Sequence, residues 1–116
     1  VEGTWDVRGE NGDIERVRPA DIKHCALLTI EGELDDISGS GQTEAAQDLC
    51  ANLPAKAKRH IEIPGAGHYG IFSGSRWRNV VYPQVQAFIA EAQTGVFAAK
   101  AAAKTAVKAK AKPRTR

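Results

Sequence analysis

Apolar and polar positions divide this chain into short alternating segments. The stretch CALLTIE, residues 25–31, is a nearly unbroken apolar run of strand length. It predicts a strand buried on both faces, as in a parallel sheet. GELDDISGSG (32–41) follows as a polar loop punctuated by glycines. In QTEAAQDLCANL (42–53), Ala45, Ala46, Leu49, Cys50 and Leu53 recur at helical spacing, predicting a helix that Pro54 ends. AKAKRHIEIP (55–64) reads as a second strand through Ile61 and Ile63, stopped by Pro64, and GAGHYGIFSGS (65–75) as a second glycine-rich loop. RWRNVVYPQVQAFIAEAQ (76–93) sets Trp77, Val81, Val85 and Phe88 near one helical face. Pro83 should kink this helix or begin its second segment, because proline lacks the donor and crowds the preceding turn.

The order strand, loop, helix, strand, loop, helix predicts an α/β fold of βαβα type, with a right-handed crossover between parallel strands. Two such strands and two helices cannot cover both faces of the sheet, so the body reads as the end of a larger one. Upstream, residues 1–18 alternate weakly about Gly12, with Trp5 and Val7 before it and Ile14 and Val17 after. That suits an extended arm or a loose hairpin. Pro19 to Ile22 reads as a short turn with Asp21 as a cap. Three regions result: an arm over 1–18, a body over 19–94 and a tail over 95–116.

Charge sharpens the last boundary. Residues 1–94 hold 9 Lys and Arg against all 14 Asp and Glu, a balance of −5; residues 95–116 hold 7 cations and no acid. The overall +2 conceals this division. The tail is low-complexity Ala/Lys sequence without an apolar stripe, which predicts a disordered or transiently helical segment. Lys100, Lys104, Lys108, Lys110, Lys112, Arg114 and Arg116 are candidates for weak, non-specific phosphate contact with nucleic acid, or simply a solvated tail.

Composition narrows the class. The 116 residues make at most one small domain, and 42% hydrophobic with 26% charged residues is an ordinary globular balance. No apolar run approaches the roughly 20 residues that cross a bilayer, and VEGTWDVRGE lacks signal-peptide features. A cytoplasmic protein without membrane contact is expected. Methionine is absent and Val1 comes first, so a GTG start or a start within a longer reading frame is expected. Cys25 and Cys50 suggest no disulfide framework. No Cys, His, Asp and Glu cluster has metal-ligand spacing, so no metal or other cofactor is expected. His24 and His60 flank strands and read as surface or edge residues.

Chemistry is expected where loops leave the carboxyl ends of strands. Asp35 and Asp36 lie on one such loop and His68, 33 residues after Asp35, on the next. A carboxylate at Nδ1 would orient an imidazole and stabilise its protonated form, leaving Nε2 as general base. Glycines around His68 would allow the necessary turn. The bland alternatives are a solvated Asp-Asp turn and a surface histidine.

The segments ALLTIEGELDDISGSGQTEAAQDLCANLP and KRHIEIPGAGHYGIFSGSRWRNVVYPQVQAFI closely resemble the C-terminal region of intracellular polyhydroxyalkanoate (polyhydroxybutyrate) depolymerases. More distantly they resemble polyhydroxyalkanoate synthases and other α/β-hydrolases. The resemblance spans roughly residues 16–90. It implies an ester hydrolase acting on polymer or at a granule surface, a thiol or hydroxyl nucleophile on an elbow turn, Asp35 as the acid and His68 as the base. One departure matters: no G-x-[SC]-x-G elbow precedes Asp35. Cys25 starts the strand whose far end carries Asp35, about seven residues at ~3.3 Å each away. Cys50 reads as a buried hydrophobe, and Ser38, Ser40 and Ser73 are loop serines off any elbow. The expectation is therefore no nucleophile in this chain, which is inactive alone and completed by an N-terminal part of the hydrolase. The competing reading is a non-catalytic granule- or DNA-associated protein with a remnant hydrolase body and a basic tail. Glu33 reads as a solvated turn residue, Tyr69 as packing on the sheet edge in preference to lining a substrate cleft, and Trp77 as core.

Overall fold

The computed structural model describes residues 4–96. The seven tail cations lie outside them, as do the expectations attached to those residues. The described part is a mixed α/β arrangement of one antiparallel strand pair, one parallel pair and helices. No helix among the described residues is long and apolar enough to cross a membrane.

The N-terminal alternation becomes a hairpin, with β1 (Trp5–Arg8) antiparallel to β2 (Ile14–Val17). Gly9 N–H bonds to the Asp13 carbonyl at 2.8 Å and closes the turn. Arg16 Nε donates to Asp6 Oδ1 at 2.9 Å across the register pair Asp6↔Arg16. Trp5 and Ile14 remain about two-thirds exposed, at 68% and 65%, so the hairpin rests on local pairing and not on the core.

β3 (Leu27–Gly32) runs parallel to β4 (Lys58–Ile63), in a register that pairs Thr29 with His60 and Ile30 with Ile61. The two faces differ. Ile30, Ile61 and Ile63 pack with Ala66, Ile71, Trp77, Val81 and Val85 in the hydrophobic core. The opposite face carries Thr29, Glu31 and His60, and is polar though buried. The strand is buried or half-buried on both faces, but only one of the two is apolar. Buried polar groups persist only where hydrogen bonds replace water, and these have them.

That polar face also explains why the helix expected over 42–53 is short. Only α1 (Ala46–Leu49) is α-helical. Gly41 N–H and Thr43 N–H donate to the Glu31 carboxylate at 2.7 and 3.2 Å, which wraps the segment around a buried anion. Ala46, Gln47 and Asp48 then close tighter i→i+3 turns. Cys50 and Leu53, three residues apart, are buried, while Leu49 is exposed.

The C-terminal helical stretch begins at α2 (Gly74–Arg76), widens to a π-helical turn over Trp77–Val81 and continues as α3 (Tyr82–Gln93). Pro83 sits in the first turn of α3, and the Tyr82 N–H reaches back to the Trp77 carbonyl. The wide turn relieves the clash that proline imposes on a continuous α-ladder. Val81 and Phe88 are buried, as their seven-residue spacing requires. Arg59 of β4 stacks on the Phe88 ring at 5.3 Å and pairs with Glu91 at 2.7 Å, tying α3 to the sheet.

Candidate active site

β3 ends at Gly32, and the chain turns at once. Glu33 N–H donates to the Ile63 carbonyl at 3.1 Å, Leu34 N–H to the Ala66 carbonyl at 2.9 Å and Asp35 N–H to the Gly32 carbonyl at 3.1 Å. The two loops are thus in backbone contact where both strands finish. A Cβ at Gly32 would overlap the Ala66 carbonyl, so only glycine permits this approach.

Asp35 turns inward, its side chain 1% exposed. Its Oδ1 accepts from the N–H groups of Ile37 and Ser38, both at 2.9 Å. Its Oδ2 lies 2.9 Å from His68 Nδ1. Asp36 points to solvent. The Ser38 N–H holds the Asp35 carboxyl below its usual range against the opposing effect of burial, and the His68 and Ile37 bonds add to this. An ionised carboxylate only accepts, so Nδ1 carries a proton, and in the neutral imidazole the lone pair is on Nε2.

His68 opens a 3-10 turn over His68–Ile71 whose last residue is anchored in the core. The Tyr69 and Phe72 rings stand edge-on to the imidazole, each with its centroid 5.6 Å away. Both are mainly exposed, and Tyr69, at 76%, does not pack on the sheet edge as expected. Among the described residues no hydroxyl or thiol is hydrogen-bonded to Nε2. Ser73 Oγ donates to the Tyr69 carbonyl, Ser40 Oγ to Glu62, and Ser38 Oγ lies 3.5 Å from Thr43 Oγ1. Cys25 is exposed before the start of β3, and Cys50 is buried.

A family model described as PHB de-polymerase C-terminus matches residues 2–93. The chain belongs to that family. Neither a curated protein nor a solved structure matches it.

In this PHB de-polymerase C-terminal region, two further polar arrangements escaped sequence reasoning. The first is at the loops. Glu33 is exposed on its turn as expected, and its Oε2 also accepts the Gly65 N–H at 2.6 Å. Arg76 Nη1 donates to the Gly65 carbonyl at 2.9 Å. The second lies on the polar face of the sheet. Gln47 Nε2 donates to Thr29 Oγ1 at 2.9 Å, Thr29 Oγ1 lies 2.9 Å from His60 Nδ1, and His60 Nε2 lies 3.4 Å from Glu31 Oε1. The Gly41 N–H holds the Glu31 carboxyl below its usual range, helped by Thr43, His60 and Glu44 and opposed by burial. Glu31, Glu44 and His60 bring ligand atoms within 4.8 Å of one another, a metal-capable grouping drawn from three segments that linear spacing could not show. The Glu31 oxygens are already engaged by backbone donors, however, and no buried side-chain polar atom lacks a partner among the described residues. His60 is a member of this network and not a surface residue, its side chain 16% exposed. The available signal was the i, i+2 placement of Thr29 with Glu31 and of His60 with Glu62 on neighbouring strands.

Proposed function

We propose that this chain is the C-terminal part of an α/β-hydrolase that cleaves ester bonds of poly(3-hydroxyalkanoate), with Asp35 orienting His68 as general base. The supporting observation is the 2.9 Å contact between Asp35 Oδ2 and His68 Nδ1, which leaves Nε2 unclaimed. In this reading Nε2 removes the proton of a serine or cysteine nucleophile as that group attacks the ester carbonyl. The imidazolium, stabilised by Asp35, then returns the proton to the departing 3-hydroxyl, and Nε2 activates water to release the acyl group. The nucleophile and oxyanion donors come from polypeptide outside these 116 residues. The parallel pair supports this, since its two strands have no further strand partner among the described residues and can extend a larger sheet.

The test is complementation. The nucleophile-bearing part of a PHB depolymerase, deprived of its own C-terminal region, would be mixed with or fused to this chain and assayed for acid release from amorphous polyhydroxybutyrate. Neither part alone should turn over polymer. The joined parts should do so, and His68→Ala should reduce the rate about 10⁶-fold. Activity of the chain alone, or complementation indifferent to His68, would refute the reading. The +7 tail against the −5 body favours a second reading, a polyanion-binding protein in which the hydrolase part is not catalytic.

A further inference from the structure

We propose that Glu33 and Arg76 form a clamp on Gly65 that positions His68 against Asp35. The inference rests on the Asp35–His68 pairing proposed above and names what holds that pairing in register. Neither residue touches the imidazole; both act through the backbone that leads to it.

The need for a clamp follows from the sequence of the loop. GAGHYG places three glycines among six residues around the base, and glycine admits more backbone conformations than any other residue. A hydrogen bond between side chains on two loops weakens steeply with misalignment. Something must therefore restrict the approach to His68.

Gly65 is where the restriction is applied. It adopts φ +65°, in the left-handed region, immediately after Pro64. Its N–H meets the Glu33 carboxylate and its carbonyl meets the Arg76 guanidinium. Each partner has the sign that suits the group it binds, so both bonds are charge-assisted. They arrive from different elements, one from the loop that carries Asp35 and one from the start of the C-terminal helical stretch. The next residue, Ala66, is completely buried; its N–H bonds to the Ile63 carbonyl at 3.3 Å and its own carbonyl accepts from Leu34 N–H at 2.9 Å. Only Gly67 then separates the anchored segment from His68, and Ile71 anchors the other side. Glu33 lies two residues before Asp35, so the acid loop itself grips the base loop. A shift in one partner is transmitted to the other.

The test uses the full chain with ¹⁵N-labelled histidine, reading exchange of the His68 Nδ1 proton with water. His68→Ala assigns the signal, and its loss in Asp35→Asn confirms its acceptor. Glu33→Ala and Arg76→Ala should each speed exchange about tenfold by weakening one hydrogen bond that restrains the loop. Glu33→Gln, which keeps an acceptor oxygen, should stay within about twofold of the unaltered chain. The His60 ring signals on the opposite face of the sheet serve as the control and should not move. Unchanged His68 exchange in both alanine variants would overturn the clamp while leaving the Asp35–His68 pair standing. Loss of the His60 and His68 signals together would show a general effect on folding and overturn the positioning role. Absence of a protected Nδ1 proton in the unaltered chain would overturn the pair and the clamp alike.

Discussion

Asp35 divides its two oxygens between two tasks: Oδ1 closes its own turn on Ile37 and Ser38, and Oδ2 meets His68. Asparagine at this position would present an amide N–H to Nδ1 and favour the wrong tautomer. In the complemented enzyme, Asp35→Asn should lower kcat by about 10⁴ with little change in KM. A comparable loss appearing only in KM would contradict the orienting role. The depressed carboxyl also makes a pH prediction. A group whose pKa is lowered by folding adds stability above its unfolded value, here near 3.8, and loses it as pH falls through the folded value. The Tm advantage of the unaltered chain over Asp35→Asn should therefore shrink as pH drops below 3.8. A gap independent of pH would refute the electrostatic account. At Gly32 steric exclusion decides the outcome: Gly32→Ala should cost about 1–3 kcal/mol, read from the urea midpoint, because the obstacle is a backbone carbonyl that cannot rotate away. The Asp35 and His68 positions were legible in the sequence from loop placement. The choice of Asp35 over Asp36 rested on resemblance, and burial of one carboxylate with exposure of the other now distinguishes them physically.

At the scale of elements, the C-terminal helical stretch was readable because its apolar stripe and its proline are both local signals. Phe88→Ala should destabilise the chain by about 3 kcal/mol, since it removes a buried ring from between α3 and the sheet. Ile89→Ala, at a half-exposed position one residue later, should change stability by less than about 1 kcal/mol. Similar losses at both positions, measured by urea unfolding, would mean the helical face is misassigned. The segment over 42–53 was not readable. Its apolar spacing fits a helix, but a carboxylate eleven residues upstream of Gln42, on β3, draws the N–H groups of Gly41 and Thr43 out of any helical ladder. No local pattern contains that information.

For the whole molecule, the uneven charge is the feature with the clearest consequence. The acidic part spans residues 1–94 and the seven cations follow it. Full-length chain should retard DNA at low salt without sequence preference. The log of affinity should fall against log salt with a slope no steeper than about −6, from about −0.9 per phosphate over seven contacts. Truncation after Thr94 should abolish this, and His68→Ala should leave it intact. Comparable binding by the truncated chain would move the site to Lys56, Lys58, Arg59, Arg76 and Arg78. Four of those have engagements that would compete: Lys56 Nζ donates to the Val96 carbonyl, Lys58 Nζ to the Gln47 carbonyl, Arg59 pairs with Glu91, and Arg76 holds Gly65.

The sequence by itself determined the order of elements, the proline-marked start of α3, the family and the two loops on which Asp35 and His68 lie, because each is written in contiguous residues. Tertiary structure decided what depends on groups distant along the chain. It let one face of β3 be buried while polar by supplying Gln47, His60 and backbone donors to Thr29 and Glu31. It cut α1 to four residues. It also drew Glu33 and Arg76 to opposite sides of Gly65. The physical reason is the same in each case: a buried or glycine-rich backbone must find its hydrogen-bond partners somewhere, and proximity in space, not in sequence, determines where.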